Sequence, residues 1–169
     1  FLFQGLNDLR KIYFEWSNPE REPITLFQNL PSLETISIGV PWISSGVSSR
    51  KTQVLSDDMF SGSTNLREIF ISSNRYTTVS KNTFRGLVNL ERLSLANNYL
   101  SALPEHMFIE LKSLKELNLS RNRLQRLPIN LFFFLKALVG LNLEYNPSLP
   151  VNDVKAIDRF YGGQVVIEQ

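Results

Sequence analysis

The sequence lacks cysteine altogether and contains a single histidine, His106. The absence of cysteine excludes disulfides, thiolate metal sites and thiol catalysis. One histidine without a cluster of carboxylates around it does not supply the ligands of a catalytic metal site. We therefore expect a protein that is not an enzyme and that uses no cofactor.

Long apolar runs and an excess of one charge are also missing. No run reaches the roughly 18 apolar residues of a membrane span, so we expect no direct membrane insertion of this segment. The 18 basic and 16 acidic residues give a net charge of +2. Without a basic stripe, this balance predicts no nucleic-acid partner. The 169 residues, 43% of them hydrophobic, are enough for one domain, residues 1–169, with a substantial core.

A repeat of 24 residues organises the centre of the chain. Nine positions of the unit that starts at Leu90 recur in the unit that starts at Leu114, and a third unit starts at Leu138. The nine positions are Leu90, Leu93, Leu95, Asn98, Leu100, Leu103, Pro104, Phe108 and Leu111. A fixed period of this length predicts stacked structural units.

Each unit contains a short alternation of inward aliphatic and outward residues, which is the period of a strand. About twenty residues connect successive strands, so the strands must be parallel. The predicted strands are Ile12–Phe14, Ile36–Ile38, Ile69–Ile71, Leu93–Leu95, Leu117–Leu119 and Leu141–Leu143.

A phenylalanine recurs six residues before each unit and predicts a buried column on the back of the stack. Its members are Phe3, Phe27, Phe60, Phe84, Phe108 and Phe132. The first residues, FLFQGL, then form the back half of a coil whose strand is missing. This favours a piece of a longer repeat array over a processed mature form.

Two regions depart from the period. The interval from Leu33 to Leu66 is nine residues too long, and the surplus falls in residues 44–54. We predict a solvated loop there that adds no strand to the sheet; it either contacts a partner or is merely tolerated. Residues 147–169 are predicted to form a C-terminal cap.

The cap is expected to contain one helix and one strand. Asn152 or Asp153 can cap a helix over Val151–Tyr161, and Gly162-Gly163 can end it. The face formed by Val154, Ile157 and Phe160 would cover the last coil. The segment Val165–Ile167 would then pair with the edge of the sheet.

The pattern L-x-x-L-x-L-x-x-N-x-L resembles the leucine-rich repeat, in the 24-residue kind of Toll-type receptors, Slit-like guidance proteins and secreted insect immune factors. The resemblance implies an α/β solenoid: a right-handed curved horseshoe with a parallel concave sheet and an irregular or helical convex side. It also implies that the asparagine column, Asn74, Asn98, Asn122 and Asn146, bonds the backbone of the turn after each strand. Ser17 and Pro41 occupy that slot in the first two units.

The outward face of the sheet carries charged columns and aromatic residues. Arg10, Glu34, Arg67, Glu91 and Lys115 alternate in sign, so neighbours can pair as a solvated ladder or serve a ligand. Exposed aromatics have no core role and are enriched at interfaces. The predicted ligand-binding residues of the concave face are Arg10, Lys11, Tyr13, Trp16, Trp42, Arg67, Phe70, Arg92 and Tyr145. Asn118 begins the sequon Asn118-Leu119-Ser120, a candidate glycosylation site.

The resemblance implies a non-enzymatic module that binds a protein ligand or co-receptor. The first hypothesis is part of an extracellular or cell-surface receptor, or of a secreted immune or adhesion protein. The alternative is a cytoplasmic leucine-rich repeat scaffold or regulator. Pairing with a second copy or a different chain as a homo- or heterodimer remains open.

Overall fold

The computed structural model describes residues 3, 5–15, 26–39, 53–72 and 75–168. It contains nine strands, one α-helix, α1 (Val151–Tyr161), and a 3-10 helix at Ile129–Phe132. The strands are β1 (Lys11–Glu15), β2 (Thr35–Gly39), β3 (Gln53–Leu55), β4 (Glu68–Ile71), β5 (Tyr76–Val79), β6 (Arg92–Ser94), β7 (Glu116–Asn118), β8 (Gly140–Asn142) and β9 (Val166–Glu168). All six predicted strands and the predicted C-terminal strand are present, displaced by at most one residue.

Seven strands form one parallel sheet in the order β1-β2-β4-β6-β7-β8-β9. The register pairs Ile69 with Leu93 and Leu93 with Leu117, so the inward aliphatics lie in one column. These aliphatic residues are buried. The residue that follows each of them in its strand faces the concave side. The fold is the predicted right-handed curved solenoid, with a parallel concave sheet and an irregular convex side.

The convex side contains the predicted phenylalanine column. The buried members are Phe27, Phe60, Phe84, Phe108 and Phe132, each at most 1% exposed. The rings of Phe60 and Phe84 stack with centroids 6.1 Å apart and planes inclined by 8°. The column therefore fills the core behind the sheet in five successive coils.

The segment before Phe60 forms a second, two-stranded sheet. Strand β3 pairs in parallel with β5, with Leu55 opposite Val79. Most of the predicted loop, residues 44–52, lies outside the described residues. Gln53 and Val54 were expected in the loop but belong to β3 instead. The reason is that Leu55 is fully buried, and its strand extends back far enough to pair with the next coil.

Asparagine side chains join each turn to the coil before it. The Asn122 Oδ1 accepts the N–H of Leu100 at 3.1 Å, and its Nδ2 donates to the carbonyl of Leu95 at 2.9 Å. The same Nδ2 also donates within its own coil, to Leu119 and Ser120. Asn98 and Asn146 repeat this arrangement. Asn74, Ser17 and Pro41 lie outside the described residues.

The C-terminal cap begins differently from the prediction. Helix α1 starts at Val151 with Pro150 at its N-cap and no side-chain cap. Asp153 does not cap the helix, because its carboxylate accepts hydrogen bonds from Leu127 N at 2.9 Å and Arg126 Nε at 3.1 Å. This contact joins the helix to the coil that starts at Leu114. The helix ends at Gly162, which takes the expected left-handed conformation with φ 60°.

One face of α1 covers the end of the core. Val154 and Ile157 are buried, as predicted. Phe160 is 37% exposed and packs against Phe133, with ring centroids 5.5 Å apart. The Tyr161 hydroxyl donates toward the Phe132 carbonyl, and burial raises the pKa of Tyr161 to about 12.

The charged columns flanking the strands pair as a ladder. Glu91 accepts from Arg67 at 2.7 Å and from Lys115 at 2.6 Å, one partner on each neighbouring coil. In the adjacent column, Arg92 lies between Glu68 and Glu116, at 2.8 and 3.4 Å. The hydrogen bond from Lys115, followed by that from Arg67, lowers the pKa of Glu91 below its ordinary value.

Replacing Phe108 by Ala is expected to lower the free energy of unfolding by about 3–5 kcal/mol, because the lost ring leaves a cavity in the core. Urea unfolding measures the change. Ile109→Ala is the matched control, because this neighbouring side chain is 42% exposed and its truncation should cost about 0.5 kcal/mol or less. Equal effects of the two substitutions would contradict the convex column.

Asn122→Ala should destabilise the chain by about 1–3 kcal/mol, since it leaves the N–H of Leu100 buried without a partner. The Leu95 carbonyl loses one of its two hydrogen bonds and keeps the one from Asn98. Asn118→Ala is the control, because that residue is only half-buried and its Oδ1 accepts a single local bond. Urea unfolding of the two variants compares them. A cost for Asn122→Ala no larger than that for Asn118→Ala would show that the turns do not depend on the asparagine column.

Glu91 should make the free energy of unfolding depend on pH. Its pKa is lower in the folded state than in the unfolded chain, so its contribution is present above the unfolded pKa and is lost as pH falls through the folded value. Thermal unfolding between about pH 6 and pH 3 should therefore show a smaller decrease in Tm for Glu91→Gln than for the parent. Parallel curves for the two proteins would show that the ladder does not influence stability.

Candidate binding surfaces

The concave face carries an open cavity of about 520 Å³ over its C-terminal half. The strand order places Phe70 of β4 at one end and Val166 of β9 at the other. Between them the floor is formed by the outward residues Ser94, Asn118 and Asn142. The cavity is therefore polar along its floor, with an aromatic ring at one end and Val166 beside the carboxylate of Glu168 at the other.

The floor asparagines differ in how much of their amide is occupied. The Oδ1 atoms of Asn118 and Asn142 accept the backbone N–H two residues on, at 3.0 and 3.1 Å. The Asn142 Nδ2 donates to the carboxylate of Glu168. Over the described residues, no acceptor lies within hydrogen-bonding distance of the Asn118 Nδ2. Asn118 thus offers free donors at the centre of the cavity.

The predicted glycosylation site coincides with this floor. Asn118 lines the cavity, and Ser120 of the same sequon is buried. A glycan attached to Asn118 would occupy the volume that a ligand would otherwise fill. Glycosylation at Asn118 stays a prediction.

The predicted aromatic residues are spread along the sheet. Tyr13 is 73% exposed and Phe70 is half-buried. Ser37 of β2 lies between them in the register, so the two are separated by two strand spacings, roughly 10 Å. Trp16 and Trp42 lie outside the described residues.

The predicted cations are mostly paired within the sheet. Arg10 contacts Glu34 at 3.3 Å, and Arg67 and Arg92 are held in the ladder of ion pairs. Lys11 is exposed on β1, at the edge of the sheet. The arginines therefore present a charge that is largely balanced by neighbouring glutamates.

Tyr145 lies beside the concave face, in the turn that follows β8. Its backbone is left-handed, with φ 56°, and its side chain is 64% exposed. The Arg121 guanidinium lies over its ring, with Cζ 4.3 Å from the centroid. The sequence predicted Tyr145 among the ligand-binding residues of the concave face; the structure places it in the turn after β8, on the flank of the solenoid.

A second arginine–tyrosine contact was missed from the sequence. Arg123 Cζ lies 4.2 Å from the centroid of the Tyr99 ring. In both pairs the partners are 24 residues apart, so they occupy equivalent positions on neighbouring coils. Comparison of equivalent positions in the turns, and not only in the strands, could have found them.

Other candidate features do not assemble into a reactive centre. His106 is exposed in a left-handed turn, with φ 62°. Within the ranges given above, no three His, Cys, Asp or Glu residues are close enough to bind one metal ion. The described part of the chain also has no helix of the length and apolarity that crossing a bilayer requires.

Two solved structures that share this architecture are complexes. The chain is similar to a chain of the Drosophila Toll–Spatzle complex, with a TM-score of 0.70 and 24% identity, over 92% of this chain and 23% of that one. It is also similar to a chain of the TLR13–ssRNA13 complex, with a TM-score of 0.64 and 26% identity, over 87% of this chain and 22% of that one. The chain thus spans less than a quarter of either neighbour.

Sequence comparison identifies the family. No curated protein matches the sequence. The family described as Leucine rich repeat matches residues 46–100 and 88–147. These overlapping matches cover more than half of the chain, which therefore belongs to the leucine-rich repeat family.

Proposed function

We propose that the chain is a non-enzymatic protein-recognition module of an extracellular or cell-surface receptor, or of a secreted immune or adhesion protein. The observation that carries this proposal is the concave cavity of about 520 Å³ between Phe70 and Val166. It combines the half-buried ring of Phe70, free amide donors at Asn118 and the apolar side chain of Val166 at the far end. Clefts of this composition suit ligands that bury apolar side chains and accept a few hydrogen bonds.

The neighbouring structures support the choice of a protein ligand. The Toll structure was solved in complex with Spatzle, a protein partner. The TLR13 structure was solved with single-stranded RNA, so a nucleic-acid ligand belongs in the test. The paired charges of the concave sheet favour protein over RNA, because they leave few cations for phosphates.

Phe70 is the anchor of the proposed site. It lies on the concave side of β4, flanked in the register by Ser37 and Ser94, so its ring stands above small neighbours. A rigid aromatic with small neighbours can enter a partner's pocket at low entropic cost. Tyr13 extends the same surface toward the N-terminal edge.

Phe70→Ala is expected to weaken binding of a protein ligand by about 2 kcal/mol, roughly thirtyfold in affinity. The ligand is selected from displayed secreted proteins, with Spatzle included, on the immobilised chain, and its affinity is measured by calorimetry. Phe134→Ala is the matched control, since Phe134 is a similarly exposed phenylalanine outside the lining of the cavity.

Asn118→Ala should also weaken binding, because it removes the donors at the centre of the floor. Circular dichroism confirms that each variant is folded. Binding that is unaffected by Phe70→Ala and Asn118→Ala but lost in Phe134→Ala would place recognition outside the cavity. Binding of single-stranded RNA alone would overturn the assignment of a protein ligand.

A further inference from the structure

The flank beyond the carboxyl ends of the strands carries two arginine–tyrosine stacks on three successive coils. Arg121 reaches forward onto Tyr145, and Arg123 reaches back onto Tyr99. Attraction between a guanidinium and the face of an aromatic ring orients the arginine without neutralising it. Both guanidinium groups are therefore held in place while keeping their charge.

The backbone beneath these side chains is regular. Asn97, Arg121 and Tyr145 occupy the same turn position, with φ 56°, 55° and 56°. The amide of Asn97 donates to the Ser120 carbonyl at 2.9 Å, and that of Arg121 donates to the Glu144 carbonyl at 2.8 Å. Hydrogen bonds between neighbouring coils thus fix the positions from which the arginines extend.

These two arginines differ from those of the sheet. In the part of the chain that the structure describes, no carboxylate is within ion-pair distance of Arg121 or Arg123, whereas Arg126 pairs with Asp153 at 3.1 Å. Glu144, in the neighbouring turn, forms no ion pair with either of them. The N–H groups at the edges of the two guanidiniums remain available for bidentate hydrogen bonds to an anion.

An apolar depression of about 500 Å³ adjoins the stack of Arg121 on Tyr145. Its lining includes Tyr145, Pro147, Leu149 and Val151, and Asn146 is the one amide side chain among its described residues. The Asn146 amide is already occupied, because its Oδ1 accepts from Leu124 N and its Nδ2 donates to backbone carbonyls. The depression therefore suits an apolar side chain.

We propose that this flank binds an extended acidic segment of a partner polypeptide. Two carboxylates would engage Arg121 and Arg123, and an apolar side chain beyond them would enter the depression beside Tyr145. Tyr99 and Tyr145, the two rings that hold the arginines, belong to coils separated by one intervening coil. The two guanidinium groups are therefore separated by roughly 10 Å along the axis of the solenoid. An extended chain advances about 3.3–3.6 Å per residue, so the carboxylates would lie about three residues apart.

The arrangement favours an acidic polypeptide over nucleic acid. Two cations match two carboxylates, whereas single-stranded nucleic acid is bound along a longer basic groove. The faces of the tyrosine rings that the arginines cover are not open to stacking with a base. This site is separate from the concave cavity and does not depend on it.

The test measures fluorescence anisotropy of short fluorescein-labelled peptides mixed with the folded chain. Each Gly/Ser peptide contains two glutamates separated by two residues, and a leucine two to four residues beyond the second glutamate. Control peptides replace both glutamates by glutamine or the leucine by serine. A ten-nucleotide oligouridylate is the nucleic-acid arm.

Arg121→Asn and Arg123→Gln should each weaken binding of the acidic peptide about tenfold or more. Asparagine is chosen at Arg121 because it tolerates the positive φ. Val151→Ser should weaken binding of the leucine peptide but not of the serine control. Arg85→Gln, at an exposed arginine whose guanidinium forms no ion pair in the described structure, and Phe70→Ala should leave the affinity unchanged.

Several results would overturn the proposal. One is that no peptide of the set binds the parent chain, or that the glutamine peptide binds as well as the acidic one. Another is that Arg85→Gln reduces binding as much as Arg121→Asn, which would indicate attraction to net charge alone. Tighter binding of the oligouridylate than of any peptide would assign the flank to nucleic acid. If Phe70→Ala did not weaken binding of the protein ligand of the concave cavity, that result would contradict only the proposal for the cavity and not the proposal for the flank.

Discussion

Three turns of the described solenoid are completed by an asparagine that belongs to the following coil, at Asn98, Asn122 and Asn146. Asn122 bonds the Leu100 N–H and the Leu95 carbonyl of the coil before it, and Asn146 does the same for Leu124 and Leu119. The N–H groups of Leu100 and Leu124 would be left without these partners if the next coil were absent, whereas the Leu95 and Leu119 carbonyls also accept from the asparagine of their own coil. Each coil is consequently stabilised by contacts with its nearest neighbours, as expected of stacked repeats. The fixed asparagine and the fixed aliphatic residues are both required for this stacking, which leaves recognition to the variable positions.

Stacking also determines what the variable positions can do. Equivalent side chains on adjacent strands lie about 5 Å apart, so a charged residue can reach the side chain at the equivalent position of the neighbouring strand. On the sheet, alternation of sign turns this proximity into ion pairs, as between Glu91 and its two basic neighbours. Exposed pairs of this kind contribute little to stability, but they reduce the charge available to a ligand. The concave face is left with the half-exposed ring of Phe70 and the free amide donors of Asn118.

The sequence predicted the features that depend on the period. The strands and the phenylalanine column follow from matched residues 24 apart, and the bonding of the asparagine column to the turn backbone was implied by the resemblance to leucine-rich repeats. The sequence did not predict the features in which alternative local contacts compete for the same residue. Asp153 looked like a helix cap, yet its carboxylate bonds Leu127 N on the preceding coil. Strand β3 begins within the expected loop because Leu55 is buried beside β5. The position of Tyr145 depends on where the strand ends and the turn begins, which hydrophobic alternation does not define.

The contrast between Arg92 and Arg121 shows how the same residue type acquires different roles. Arg92 has glutamates at the equivalent positions of both neighbouring coils, so its charge is balanced. Arg121 has Tyr145 in the following coil, and the ring orients the guanidinium while leaving its charge intact. The role of a surface residue in this solenoid is therefore set by the residues 24 positions before and after it. Interpreting a leucine-rich repeat surface consequently requires comparison of equivalent positions across coils, in the turns as well as in the strands.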